Sequence, residues 1–151
     1  MRLLPAAAAV AVVALASSPV AAQSIDVPSG TYALDKTHAS IVWKVSHIGY
    51  STYTGMFQRG AIDATITLDA EDVAKSSVTA TIEGTGVETL HPVDFDPRGT
   101  DFNAEVAGDK FLNANSFPAI TFKSTGIEVT GDNTANISGE LTLNNATHPV
   151  V

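Results

Sequence analysis

From Ile41 onward, apolar and polar side chains alternate with a period of two. Ile41, Trp43, Val45 and His47 share one parity against Val42, Lys44 and Ser46, and Ile62, Ala64, Ile66 and Leu68 stand against Asp63, Thr65 and Thr67. Val78, Ala80 and Ile82 follow, then Ile120, Phe122 and Ser124. Ile127 and Val129 extend that face beyond Gly126, and Ile137, Leu141 and Leu143 mark a further segment. Successive side chains of a strand point to opposite faces, so the pattern predicts antiparallel strands with one face buried and one in water. Gly49, Gly55, Gly60, Gly131-Asp132-Asn133 and Asn144-Asn145 are the turn signals between them. Many short strands joined in this way predict an all-β barrel or sandwich.

One stretch breaks the alternation. "LHPVDFDPRGTDFNAEVAGDKFLNANSFP" is punctuated by Pro92, Pro97 and Pro118. Within it Thr100 is placed to cap a short helix carrying Phe102 and Val106 on one side, with Gly108 ending it and Phe111-Leu112 as a second helical turn. An insertion this long between strands is either a functional lid or a plug for one end of a barrel. The last residues, "LTLNNATHPVV", read as a strand, a turn and the opening of another strand. A barrel stopping there leaves unpaired edges, which predicts a domain truncated at its C-terminus.

The N-terminus divides the chain. Arg2, the apolar run from Leu3 to Ala16, and Val20-Ala21-Ala22 before Gln23 form the three parts of a secretory signal. The expected organisation is a signal peptide over 1–22, a short linker over 23–30 and one β-barrel domain over 31–151. The apolar run falls short of the roughly 18 residues a membrane span needs, so no stable membrane anchor is expected. A chain of 151 residues, 44% of them hydrophobic, suits one domain. It has no cysteine, hence neither disulfides nor a lipid-modified cysteine. A formal net charge of −8 with dispersed Lys and Arg excludes a basic stripe for nucleic acid and argues against general attraction to anionic lipid.

The candidate chemistry narrows by elimination. His38 and His47 are nine positions apart, so an unbroken strand would point them to opposite faces and hold them on the order of 30 Å apart. That spacing gives no shared metal site, and His91 and His148 supply no ligand spacing either. There is no G-x-S-x-G elbow, no H-E-x-x-H and no phosphate-cradling glycine loop. Asp35 and His38 would need a distant serine to make a triad, and Asp69-Glu71-Asp72 reads as a solvated turn. What remains is the apolar face itself. In a barrel of about eight strands such a face either fills the interior or lines a site for one small ligand.

Three ordered blocks then resemble a known family. "YALDKTHASIVWKVSHIGYSTYTGMF" is similar to the opening signature of the YceI-like family at Tyr32, Asp35, His38, Trp43, His47, Gly49, Ser51, Gly55 and Phe57. "DKFLNANSFPAITFKST" and "GELTLNNATHPV" resemble its two later blocks. Ala39, Asn113, the stretch from Glu105 to Gly108, and Asn145 depart from the pattern. The resemblance implies a lipocalin-like antiparallel β-barrel with a short helical insertion, exported to the bacterial periplasm and enclosing a long tunnel. It also implies binding of polyisoprenoids such as isoprenoid quinones or prenyl pyrophosphates, with no shared catalytic centre; other members are linked to stress responses.

The resulting expectation is a non-enzymatic periplasmic carrier of a long isoprenoid or similar amphipathic lipid. It has no catalytic or metal residues and no cofactor beyond that lipid. The expected lining is Ile41, Trp43, Val45, His47, Phe57, Ile66, Ile82, Phe122 and Leu141, with His47 marking its polar end. Arg59, Arg98 or Lys110 would meet a pyrophosphate headgroup if one is bound. A homodimer is left open. The alternatives are a stress-related interaction protein with a filled barrel, and an oxidoreductase or isomerase acting on quinone intermediates.

Overall fold

The structure is a computed structural model that describes residues 26–92 and 97–151. The expected signal peptide lies outside the described residues. Nine strands, one short α-helix and three single-turn 3₁₀ helices are present among those described. The strands are β1 (Gly30–Ala33), β2 (Ile41–His47), β3 (Ser51–Phe57), β4 (Ile62–Leu68), β5 (Ser77–Glu83), β6 (Val87–Glu88), β7 (Ala119–Gly131), β8 (Thr134–Leu143) and β9 (Ala146–Val150), and the helix is α1 (Phe102–Ala107). The fold class is the expected one: all-β, antiparallel, with a short helical insertion.

The strands form a six-stranded sheet in the order β1-β4-β5-β7-β8-β9 and a three-stranded sheet β2-β3-β6. Among the described residues no ladder joins the two sheets, so the barrel is open rather than closed. The pairings Ile62↔Ile82, Ile82↔Ile120 and Phe122↔Leu141 put the predicted apolar parities on one face of the larger sheet. Ile127 and Val129 join that face although their parity differs from that of Ile120 and Phe122. The register shifts between Ser124 and Gly126, and the extra residue of this bulge restores the facing. At the β8–β9 hairpin Asn144 and Asn145 have φ of 47° and 60°, the left-handed pair that a two-residue turn between twisted strands requires.

The inner faces meet at one end. Phe57, Ile62, Val87 and Ile120 form the buried cluster, packed by Leu34, Ile41, Trp43, Ile82, Leu112 and Leu141. Val106 and Ala107 of α1 lie against the same cluster, so the insertion plugs that end. The plug is latched: Asn103 Oδ1 accepts from the buried Thr89 through its N–H (2.9 Å) and its hydroxyl (2.6 Å), while Asn103 Nδ2 donates to Glu88. The cap of α1 is Asp101, not Thr100, because its carboxylate accepts from the Ala104 N–H at 3.0 Å. Gly108 ends the helix as expected, and Phe111-Leu112 form turns rather than more helix.

Gly55 is not a turn. It sits inside β3 opposite Trp43, and the indole lies across it. A Cβ at Gly55 would come within 2.2 Å of Trp43 Cζ2 and 2.8 Å of the Glu88 carbonyl oxygen. The same device recurs at Gly139, where a Cβ would come within 2.3 Å of the Phe122 ring. Gly55→Ala is expected to lower unfolding stability by roughly 1–3 kcal/mol, since overpacking a fitted site forces side chains and backbone apart. Urea denaturation measures this, and an unchanged midpoint would contradict the packing described.

Candidate functional site

Cross-strand partners share a face, so the strand pairings define the inner surface among the described residues. On the small sheet, Ile41, Trp43, Val45 and His47 pair with Phe57, Gly55, Tyr53 and Ser51. On the large sheet the inner surface comprises Tyr32 opposite Ile66, Ala64 opposite Ala80, Val78, Ile82, Ile120, Phe122, Leu141 and Leu143. None of these inner-face positions is Asp, Glu, Lys or Arg, whereas Lys44, Asp63, Lys123 and Glu140 occupy the opposite parity.

Exposure along this surface is graded. Phe57 and Ile62 are buried at the plugged end; Ile41, Trp43, Tyr53, Ile82, Phe122 and Leu141 are half-buried. Farther along, Val45 is 53% exposed and Ile66 43% exposed, and His47 is exposed at the last position of β2. All but one of the expected lining residues fall into two groups, the exception being Phe122, half-buried across Gly139. Phe57 is absorbed into the core, with Ile41, Trp43, Ile82 and Leu141 packed against it. Val45, His47 and Ile66 lie on the open part of the face. In place of the enclosed tunnel that was expected, the described residues form an apolar face that is packed at the cluster and open to solvent beyond it.

Aromatic stacking organises the half-buried zone. Trp43 and Tyr53 rings stack at 5.9 Å, Tyr53 tilts against Phe102 at 6.1 Å, and Phe102 stacks on His91 at 4.7 Å. The Trp43 indole N–H donates to the Met56 carbonyl at 3.3 Å and the Tyr53 hydroxyl to the Thr89 carbonyl at 2.8 Å. Tyr53 and Tyr32 escaped the sequence-based lining, as did His148. His148 pairs with Leu141 and so belongs to the inner face of β9. The parity of β9 follows only from the Asn144-Asn145 turn and the register it sets, which alternation within a five-residue strand does not reveal.

His38 is not on β2. The strand begins at Ile41, and His38 closes a turn in which its N–H donates to the Asp35 carbonyl. Its Nδ1 lies 2.7 Å from Asp35 Oδ2, and among the described residues no serine joins that pair. Arg59 Nη1 donates to the Thr37 carbonyl at 2.8 Å, which fixes Arg59 at the plugged end, away from His47. A headgroup at His47 therefore does not meet Arg59. The Asp69 carboxylate accepts from the Glu71 and Asp72 N–H groups and closes the turn read from the sequence.

Hydrogen bonds from the Thr37 hydroxyl, His38 and the Thr37 N–H hold the Asp35 carboxyl below the ordinary carboxylate range, in that order of importance. Because the folded value is depressed, the contribution of Asp35 to stability is present above its unfolded pKa and is lost as pH falls through the folded one. Thr37→Val removes the largest cause, and the Asp35 pKa should rise toward its ordinary value in a carboxyl NMR titration. An unmoved pKa would contradict this hydrogen-bond assignment.

The family described as YceI-like domain matches residues 32–151. A UPF0312 protein of Ectopseudomonas mendocina (strain ymp) is 34% identical over 145 residues, covering 95% of this chain and 69% of that protein. Protein YceI of Escherichia coli O6:H1 is 36% identical over 121 residues, covering 79% of this chain and 58% of its own length. The crystal structure of Burkholderia cenocepacia BcnA aligns with a TM-score of 0.62 at 26% identity, covering 77% of this chain and 66% of that one. A Campylobacter jejuni YceI protein aligns with a TM-score of 0.54 at 22% identity, over 79% of this chain and 64% of that one, a likeness of fold alone. The chain spans between 58% and 69% of the length of these relatives.

Proposed function

The chain belongs to the YceI-like family, and we propose that it is a non-enzymatic periplasmic binding protein for a long-chain isoprenoid or similar amphipathic lipid. One observation carries the reading: the inner face is free of formal charge at every strand position described above, yet remains exposed beyond the plugged end. An uncharged apolar face that water still reaches gains by covering. Each CH₂-sized unit of a lipid tail withdrawn from water contributes about 0.8 kcal/mol. Branched prenyl chains need shape tolerance more than hydrogen bonds, and Val45, Ile66, Val78, Phe122 and Leu141 offer apolar contact with few polar groups.

The plug gives the ligand a direction. A tail end placed against Trp43, Ile82 and Leu141 reaches the packed cluster of Phe57, Ile62 and Ile120. The polar end then lies toward His47 and Ser51, which pair at the opposite end of the small sheet. A quinone headgroup suits that arrangement, whereas a pyrophosphate placed there would lie away from Arg59 and from the insertion that carries Lys110.

Organic extraction of the exported protein followed by mass spectrometry tests the reading. Recovery of a prenyl lipid is expected. A Val45→Asp, Ile66→Asp variant should bind added prenyl quinone at least about tenfold more weakly, because a charge placed on the face must be desolvated. Repeated extraction of no lipid, with no binding of added prenyl quinone by the wild-type chain, would overturn it.

A further inference from the structure

The β2–β3 turn carries an unpartnered apolar tip. Ile48 is 79% exposed and Tyr50 91% exposed, the two highest values among large hydrophobic side chains of the described strands and their turns. Ile48 also has φ of 53°, a left-handed conformation that a β-branched residue rarely adopts, and Gly49 follows at 77°. The Tyr50 N–H donates to the His47 carbonyl at 3.0 Å, so the turn is tight and presents both side chains from a fixed backbone. A strained apolar residue held in water calls for a partner on that tip.

Charge identifies the partner. The chain holds sixteen acidic residues and a formal net charge of −8, yet no Asp or Glu occurs between Asp35 and Asp63. The whole β2–β3 hairpin lies in that interval, and its formal charge comes from Lys44, on the outer face, with His47 beside the tip. The tip also stands at the solvent-exposed end of the inner face, next to His47 and at the end of the hairpin opposite Phe57.

We propose that the Ile48-Gly49-Tyr50 turn is a reversible docking prong for the interfacial zone of a lipid bilayer containing anionic phospholipid. Ile48 enters the acyl boundary, and Tyr50 rests at headgroup depth with its ring apolar and its hydroxyl wet. Lys44 supplies local attraction where the rest of the acidic protein is repelled. Docking through this turn holds the exposed end of the apolar face against the membrane, so an amphipathic molecule can pass between them without crossing water. The docking itself depends on the tip and not on the cargo proposed above.

Co-sedimentation of the exported protein, without residues 1–22, with vesicles of phosphatidylcholine and phosphatidylglycerol in equal parts tests the proposal. Wild-type protein is expected to associate. Ile48→Asn with Tyr50→Ser should lower the partition coefficient roughly tenfold, asparagine being tolerant of the left-handed backbone. Phe111→Ser, in the insertion at the plugged end, should leave association unchanged. Lys44→Glu should weaken association with the mixed vesicles and not with pure phosphatidylcholine. Equal association of the tip variant and wild type, or no association by either, would overturn the prong. So would sedimentation equilibrium showing that the tip instead joins two copies of the chain. Because vesicle association is read on protein stripped of lipid, its failure and the failure of the cargo reading are separately visible.

Discussion

Two sheets that share no strand ladder among the described residues must be joined by something else. The join is the apolar cluster of Phe57, Ile62, Val87 and Ile120, one residue each from β3, β4, β6 and β7. Each sheet carries its own ladder one hydrogen bond past its strands beside the cluster, from the Gln58 N–H to the Gly86 carbonyl next to β3 and β6 and from the Gly84 N–H to the Pro118 carbonyl next to β5 and β7. Every other feature follows from the position of that cluster. It lies at one end, so the inner faces are pinned there and uncovered elsewhere. The absence of side chains at Gly55 and Gly139 lets Trp43 and Phe122 lie flat against the sheets at the margin of the cluster.

The helical insertion serves the same constraint. Asn103 satisfies both donors of Thr89, which is only 1% exposed, and the latch holds Val106 and Ala107 on the cluster. A buried polar residue without such a partner costs on the order of 1–3 kcal/mol. The insertion is therefore a stopper rather than a lid over the open face. Polarity results: a packed end, a half-buried aromatic zone of Trp43 and Tyr53, then an exposed apolar stretch ending at His47 and the turn beyond it.

Much of this was legible in the amino-acid order, and the omissions have physical reasons. The half-buried strands β2, β4, β5 and β7 announce themselves because water on one face and apolar contact on the other impose strict alternation. β3 does not: Ser51, Thr52 and Thr54 place polar residues on both parities, and Gly55 imitates a turn while serving as a seat for Trp43. Ile127 and Val129 read as continuing the face beyond Gly126, but alternation does not mark the extra residue of the bulge after Ser124 that carries them there. His38 was misplaced because its link to Asp35 ends the extended run before the strand begins. Val45, Ile66 and His47 were foreseen on the candidate face. Tyr32, Tyr53 and His148 were not, because their facing depends on pairing between strands distant in the chain or across a turn.

The central claim is that the uncharged inner face, from Trp43 outward, takes up a prenyl lipid. Trp43 is the only tryptophan in the chain and lies half-buried on that face, so its fluorescence reports directly on occupancy. Titration with a long-chain prenyl quinone is predicted to quench it saturably at a stoichiometry near one per chain, while a short water-soluble quinone quenches only by collision. Linear, unsaturable quenching that is the same for both quinones would contradict the account.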